Sequence, residues 1–400
     1  MTNNNSKNIK MNFIDLCCGI GGFHQALTRI GARCVFACDI DEECRKNYEE
    51  NYKLKPESDL CKLNIPTIPI FDILCAGFPC QPFSKAGHQN GFDDDRGNIF
   101  FEICKIIDHH KPKYLILENV RNFASHDKGN TWKIIKEKLD ELNYYTYETP
   151  VILNTLYFGI PQSRERVVIL CKRKDLGKLP KLPNIDKNLI KDTTLSSIID
   201  SESDNSKYNI SGKLKITEEV WDKFLVILNK NNIAVPKFPI WTEWWDNDIK
   251  DDLEFYNKYK NWIDKNRDFY STNKNLLSKW LIESRNQELW KGAIRKMEWQ
   301  TGQDNLTMKD VLWSPRGSGV RIKKTNYSPT LVAMASMIPI YGPLSRELTP
   351  RECARLQSFP DSYIIHENDK IAYKQFGNAV NVTMIERAAR FLILGEELFE

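Results

Sequence analysis

The sequence predicts an α/β protein, a sheet covered by helices on both faces and interrupted by a smaller inserted domain. Three observations predict it. Over the first 171 residues, short and almost continuously apolar runs alternate with longer amphipathic stretches, the pattern of strands buried on both faces. A glycine-rich turn follows the first apolar run, where open α/β sheets hold ligands. After Cys171 the rhythm breaks and resumes only near residue 341. The frame is therefore 1–171 and 341–400, around an insert of 172–340.

Each element has its own reason. Phe13 to Cys17 is an apolar strand running into the turn Cys18-Gly-Ile-Gly-Gly22, and Phe23 to Ile30 is the helix that follows. Cys34 to Cys38 is a second strand, ending at Asp39. Phe71 to Ala76, Tyr114 to Leu117 and Arg166 to Cys171 supply further strands, with helices expected over 98–109 and 131–142. Lys172-Arg-Lys174 and the proline-punctuated Leu179-Pro-Lys-Leu-Pro183 mark the boundary of the insert. Helical order returns at Thr349, which suits an N-cap, with Pro350 in the first helical position and Glu352 completing a capping box. A last helix spans 382–394.

Composition narrows the class. The 400 residues are 41 % apolar and 28 % charged, which excludes wholesale disorder. No run approaches the ~18–20 apolar residues of a membrane span, and Met1 to Lys10 is polar without a signal-peptide core. A cytoplasmic protein is expected. Net charge is +4 overall, but residues 172–340 hold 29 Lys and Arg against 22 Asp and Glu, a basic insert compatible with a polyanion or with plain solvation. Nine of the ten tryptophans lie there, and those from Trp221 to Trp299 are expected as core anchors rather than base-stacking platforms. The 11 cysteines show no spacing fit for zinc, so neither a metal nor structural disulfides are expected.

Four constellations carry chemistry. The turn after Asp15, with Gly19, Gly21 and Gly22, precedes an acid, Asp39, at the end of the next strand, which fits a nucleoside whose ribose hydroxyls the acid accepts. Pro79-Cys80-Gln-Pro-Phe-Ser84 sets a cysteine between stiffening prolines at a strand's carboxyl end, a candidate thiolate nucleophile, followed by a glycine-punctuated flap to Asn98. Glu118 closes another apolar strand, either solvated or held in a pocket with a raised pKa. Gln162, Arg164 and Arg166 alternate by period two and could project three donors on one side.

Taken in order, Asp-Leu-x-x-Gly-x-Gly-Gly, Pro-Cys-Gln-Pro-Phe-Ser, Glu-Asn-Val, Gln-x-Arg-x-Arg, Arg351-Glu-Cys-Ala-Arg-Leu-Gln-Ser-Phe-Pro360 and Gln375-Phe-Gly-Asn378-Ala-Val380 resemble the DNA cytosine-5 methyltransferases, in the compact layout of bacterial restriction–modification enzymes. The Pro-Pro-Tyr/Phe block of amino-group methyltransferases is absent. The resemblance implies a Rossmann-like S-adenosylmethionine-dependent fold with a mixed sheet and an inserted target-recognition domain. It implies methylation of C5 of cytosine in a specific duplex sequence, with S-adenosylhomocysteine as product and no metal. Cys80 would attack C6 of a base flipped from the helix, Glu118 would protonate or hydrogen-bond N3, and Arg166 would hold O2, with Arg164 and Gln162 in support.

For the cofactor, the resemblance implies Asp15, Cys17, Gly19, Ile20, Gly21 and Gly22 around the turn, Asp39 on the ribose and Ile40 on the adenine. Asp59 and Leu60 would meet the adenine edge, Pro79 and Ile99 would line the pocket, and Asn378 and Ala379 would reach the methionine end. Cys17 stands where the family usually has a phenylalanine packing on adenine. DNA contacts would come from Gln81, Ser84, Arg316, Arg321 and Thr330, the arginines as base readers or as phosphate contacts. The expected partners are duplex DNA and a separately acting restriction endonuclease, with the enzyme a monomer. A tRNA cytosine-5 methyltransferase and a catalytically silent DNA-binding regulator are the rival readings.

Overall fold

The structure, a computed structural model, describes residues 9–79, 99–200, 205–246, 253–302 and 307–399. The chain divides into two compact units, one of residues 1–193 with Cys353–Glu400, the other Thr194–Glu352.

The first unit is the predicted α/β frame. In chain order it contains β1 (Asn12–Leu16), α1 (Gly22–Arg29), β2 (Arg33–Cys38), α2 (Glu42–Tyr52), β3 (Ile73–Gly77), α3 (Ile99–His110), β4 (Tyr114–Val120) and α4 (Asn130–Glu141). The short strands β5 (Tyr144–Tyr145), β6 (Val151–Asn154) and β7 (Gln162–Ser163) lead to the long β8 (Glu165–Arg173). The sheet runs β2-β1-β3-β4-β8-β5, with β6 also on β8. The first four strands are parallel and β8 is antiparallel to β4, so the sheet is mixed. Ile14, Leu16, Leu74, Ala76, Leu115 and Leu117 pack with Phe100, Ile103, Ile135 and Leu139 of α3 and α4 in one core. On the other face α1 packs against α10 (Val382–Leu394), which also touches β8. Strand order reverses at β1, which opens a crevice at the carboxyl ends of β1 and β3.

The second unit holds α5 (Gly212–Lys230), β9 (Ile240–Trp241), α6 (Leu253–Thr272), α7 (Lys274–Arg285), β10 (Lys296–Trp299), β11 (Leu312–Arg316), β12 (Gly319–Lys323), β13 (Ser328–Pro329), β14 (Ile340–Tyr341) and β15 (Arg346–Glu347). Its main sheet runs β15-β14-β11-β12-β10-β9. Trp221, Trp245, Trp280, Trp290 and Trp299 fill its core as expected, joined by Trp313, whereas Trp262 is exposed.

Both unit boundaries fall later in the chain than 171/172 and 340/341. Residues 174–193 stay on the first unit because the Lys174 N–H donates to Asn143 O, the Tyr147 hydroxyl to Pro180 O and the Lys191 N–H to Leu156 O. At the other end β14 and β15 prolong the second sheet to Glu347. The second boundary lies inside α8 (Pro350–Leu356), which is followed by α9 (Asp369–Asn378).

The capping box predicted for α8 forms in both directions. The Glu352 N–H donates to Thr349 Oγ1 at 3.2 Å, and the Thr349 N–H donates to Glu352 Oε2 at 2.8 Å. Glu352 also receives the Asp200 N–H at 2.8 Å and both Nη atoms of buried Arg346, at 2.6 and 2.8 Å. Glu352→Ala would leave that guanidinium buried without its counterion. The expected cost is about 3–5 kcal/mol, read as a lowered midpoint of urea unfolding.

Candidate active site

Glu118 and Arg166, expected to face the base, meet at one edge of the sheet because of register. Gly77 of β3 lies opposite Glu118 of β4, and Val120 lies opposite Arg166 of β8, which runs the other way. The carboxyl ends of β3 and β4 and the start of β8 therefore share one rim. Across it Glu118 Oε1 meets Arg166 Nε at 2.8 Å, with both side chains 11 % exposed. Burial pushes the Glu118 carboxyl above its ordinary range, against the pull of Arg166 and Arg164. A carboxyl in that state can hold a proton, and a hydrogen-bonded guanidinium beside it is fixed in orientation.

Beyond Gly77 the chain reaches Phe78 and exposed Pro79. The Asn119 side-chain amide donates to Phe78 O at 2.9 Å, which ties the end of β4 to the backbone two residues before Cys80. Cys80, Gln81 and Ser84 lie outside the described residues.

Gln162 and Arg164 reach the C-terminal return. Gln162 Nε2 donates to Leu356 O at 3.0 Å. Arg164 Nη2 donates to Gly377 O at 3.1 Å and Ala379 O at 2.8 Å, and burial, with Arg166 nearby, lowers its pKa to about 9. The period-two reading set three donors on one side, with Arg166 on the base and the other two in support. Carbonyls of the C-terminal return accept from two of them, so Gln162 and Arg164 help position that backbone, while Arg166 pairs with Glu118 directly and Arg164 stays near enough to pull on its carboxyl.

On the cofactor side, Asp39 organises the turn. Its Oδ2 accepts the Gly19 N–H at 2.7 Å and its Oδ1 the Asp41 N–H at 2.8 Å. Burial nevertheless raises its pKa. Asp41 in turn caps α2 through the Glu43 and Cys44 N–H groups and pairs with Lys374 at 2.9 Å. Gly19, with φ at +52°, has nothing within 4 Å of where a Cβ would stand, so it opens onto free space. Gly21 and Gly22 have a different reason to be glycine. A Cβ at Gly21, where φ is +83°, would stand 2.3 Å from the Tyr52 ring, and one at Gly22 would stand 2.5 Å from the Val380 side chain. The hydroxyls of Tyr363 and Tyr52 donate to Ile20 O, at 2.8 and 3.2 Å, and Tyr52 also to Gly21 O at 3.0 Å, clamping the turn from behind.

The remaining expected cofactor residues separate into open and enclosed. Ile40 is 80 % exposed, Asn378 and Pro79 are exposed, and Ile99 opens α3 half-buried. Asp59 accepts the Cys61 N–H and pairs with Lys62, which holds its carboxyl below the usual range. Leu60, Ile20 and Ala379 are buried. Cys17 adopts φ of +51° as the chain leaves β1, and its thiol packs partly buried against the main core. Asp15 is fully buried within β1, both carboxylate oxygens lack a hydrogen-bond partner among the described residues, and burial with nearby Asp39 drives its pKa well up.

Sequence reasoning missed Asn119, Tyr52 and Tyr363. Asn119 had a signal, a short amide directly after Glu118 at the end of an apolar strand, whereas nothing local to the tyrosines marks them.

The family described as C-5 cytosine-specific DNA methylase matches residues 11–393. The chain belongs to that family. Methyl transfer to C5 of cytosine in DNA, with S-adenosylmethionine as donor, is the activity this DNA methylase carries. It is 33 % identical over 380 residues to the Type II methyltransferase M.HhaI of Haemophilus parahaemolyticus, covering 95 % of this chain and 93 % of the relative. It is 32 % identical to the Type II methyltransferase M.HpaII of Haemophilus parainfluenzae, covering 96 % and 89 %. A solved DNMT2 mutant from Spodoptera frugiperda shares the fold, with a TM-score of 0.54 at 20 % identity over 97 % of this chain and 99 % of that one. No described helix is long and apolar enough to cross a membrane, and no described group of His, Cys, Asp and Glu could hold a metal ion.

Proposed function

We propose that this DNA methylase marks one cytosine in a specific duplex sequence and so protects cytoplasmic host DNA from a separately acting restriction endonuclease, working as a monomer. The observation that carries the reading is the Glu118–Arg166 pair on the rim where β3 leads toward Cys80. Cys80 adds as thiolate to C6 of the flipped base, which moves electron density to C5. Glu118 gives a proton to N3 or shares one with it, so the ring does not carry a full negative charge. Arg166 holds O2. Once C5 bears its methyl group, loss of the C5 proton and expulsion of the Cys80 thiolate restore the aromatic ring.

S-adenosylmethionine, when bound, supplies a methyl group on a sulfonium. The residues present fit it. Asp39 keeps lone pairs for ribose hydroxyls beside the open space at Gly19, and Ile40 offers an exposed apolar face for the adenine. Asn378 and Ala379 lie where Arg164 anchors the C-terminal return. Asp39→Ala removes the acceptor for two backbone donors as well as the ribose partner. It is expected to weaken cofactor binding tenfold or more by titration calorimetry, about 1.4 kcal/mol, while duplex DNA binding persists.

The insert supplies sequence recognition, with Arg316, Arg321 and Thr330 among its contacts. Bisulfite sequencing of DNA from cells expressing the chain tests the whole reading. The expected result is 5-methylcytosine at a single recurring sequence, and unmodified DNA would overturn it.

A further inference from the structure

Along β11 and β12 of the second unit, Trp313, Val320 and Ile322 point into the tryptophan core, and Arg316, Arg321 and Lys323 share the opposite face. Three half-buried cations thus stand on one hairpin. Gly319 faces Arg316 across the ladder, and a Cβ there would stand 2.9 Å from Lys296 O, so packing keeps that position without a side chain. Arg316 Nε is buried with no hydrogen-bond partner among the described residues. Burial and Arg321 depress the pKa of Arg316, burial and both arginines depress that of Lys323, and Glu298 is the acid that offsets Arg316.

Glu298 reaches this face from β10, which pairs with the other side of β12 and sets Glu298 beside Arg321. Its Oε2 lies 3.2 Å from both Nε and Nη2 of Arg321. The carboxylate therefore occupies the Nε side of the guanidinium and leaves the edge between the two Nη atoms to project. That edge is a planar pair of donors, the shape that grips O6 and N7 of guanine. A phosphate contact needs no such orientation, because any rotamer of a cation serves it. The unsatisfied donor and the crowded like charges are both relieved by a ligand edge rich in acceptors.

We propose that Glu298 is a specificity-determining residue, which fixes Arg321 so that it and the neighbouring Arg316 read guanine in the recognition sequence. The proposal rests on the DNA-methylating reading above. Once the target sequence is known, the full chain and its Glu298→Gln and Arg321→Lys variants are assayed on the target duplex and on duplexes with each G·C pair outside the methylated one changed to A·T. Both variants are expected to lose about tenfold of the kcat/KM preference at the same one or two positions, since one frees the guanidinium and the other removes its planar edge. An unchanged preference profile in both would overturn the proposal. So would uniform weakening on every duplex with a salt slope reduced by about one, the mark of a phosphate contact. Absence of methylation by the unmutated chain is a separate failure, of the reading beneath the proposal, and would sink both.

Discussion

Cys80→Ser is expected to abolish methyl transfer and the capture of DNA carrying 5-fluorocytosine at the target position. C5 of cytosine is a poor nucleophile until a group adds at C6, and a thiolate is the side chain that can both add there and leave again near neutral pH. A serine hydroxyl has the same reach but is not ionised, and Glu118 and Arg166, being engaged with each other, offer it no general base. Fluorine at C5 cannot depart as the proton does, so the native enzyme halts as a covalent adduct while the serine variant forms none. Labelled methyl incorporation and a denaturing gel of the fluorinated duplex read the two effects. Turnover by the variant would refute the assignment.

Glu118→Gln is expected to lower kcat by about two to four orders of magnitude with duplex binding retained. The amide preserves volume and a hydrogen bond but cannot hand a proton to N3, and it removes the counterion from half-buried Arg166. The pH dependence has a definite sign. Burial raises the Glu118 pKa, so the proton is retained to higher pH than on an ordinary glutamate and is lost as pH climbs through that raised value. The native rate should therefore fall on the alkaline side through a step that the glutamine variant lacks. Single-turnover rates measured across pH for both proteins check this.

Five strands of the sheet were legible because each is apolar along most of its length, whereas the short β5 and β6 were not read from the sequence, and α10 was legible at roughly its bounds, between a capping Asn381 and Gly395. β4 outran its apolar run by three residues, since Glu118 and Asn119 keep the ladder with Val168 and Val167. The pairing of Glu118 with Arg166 depends on antiparallel register between β4 and β8, which no local pattern encodes. The glycines were read as making way for a ligand, and Gly19 opens onto free space. For Gly21 and Gly22 the obstructing groups are Tyr52 and Val380, and Val380 lies more than 350 residues away. Gln162 and Arg164 look the same as Arg166 in sequence, and only the later return of Leu356, Gly377 and Ala379 tells them apart.

That return has a consequence for biosynthesis. The two carbonyls that hold Arg164 are translated 213 and 215 residues after it. While the ribosome is still working through the insert, the arginine strand exists without the segment that anchors it. The nascent polypeptide cannot complete this anchor until Ala379 has been translated, so a transcript truncated before residue 377 would be expected to yield an inert product.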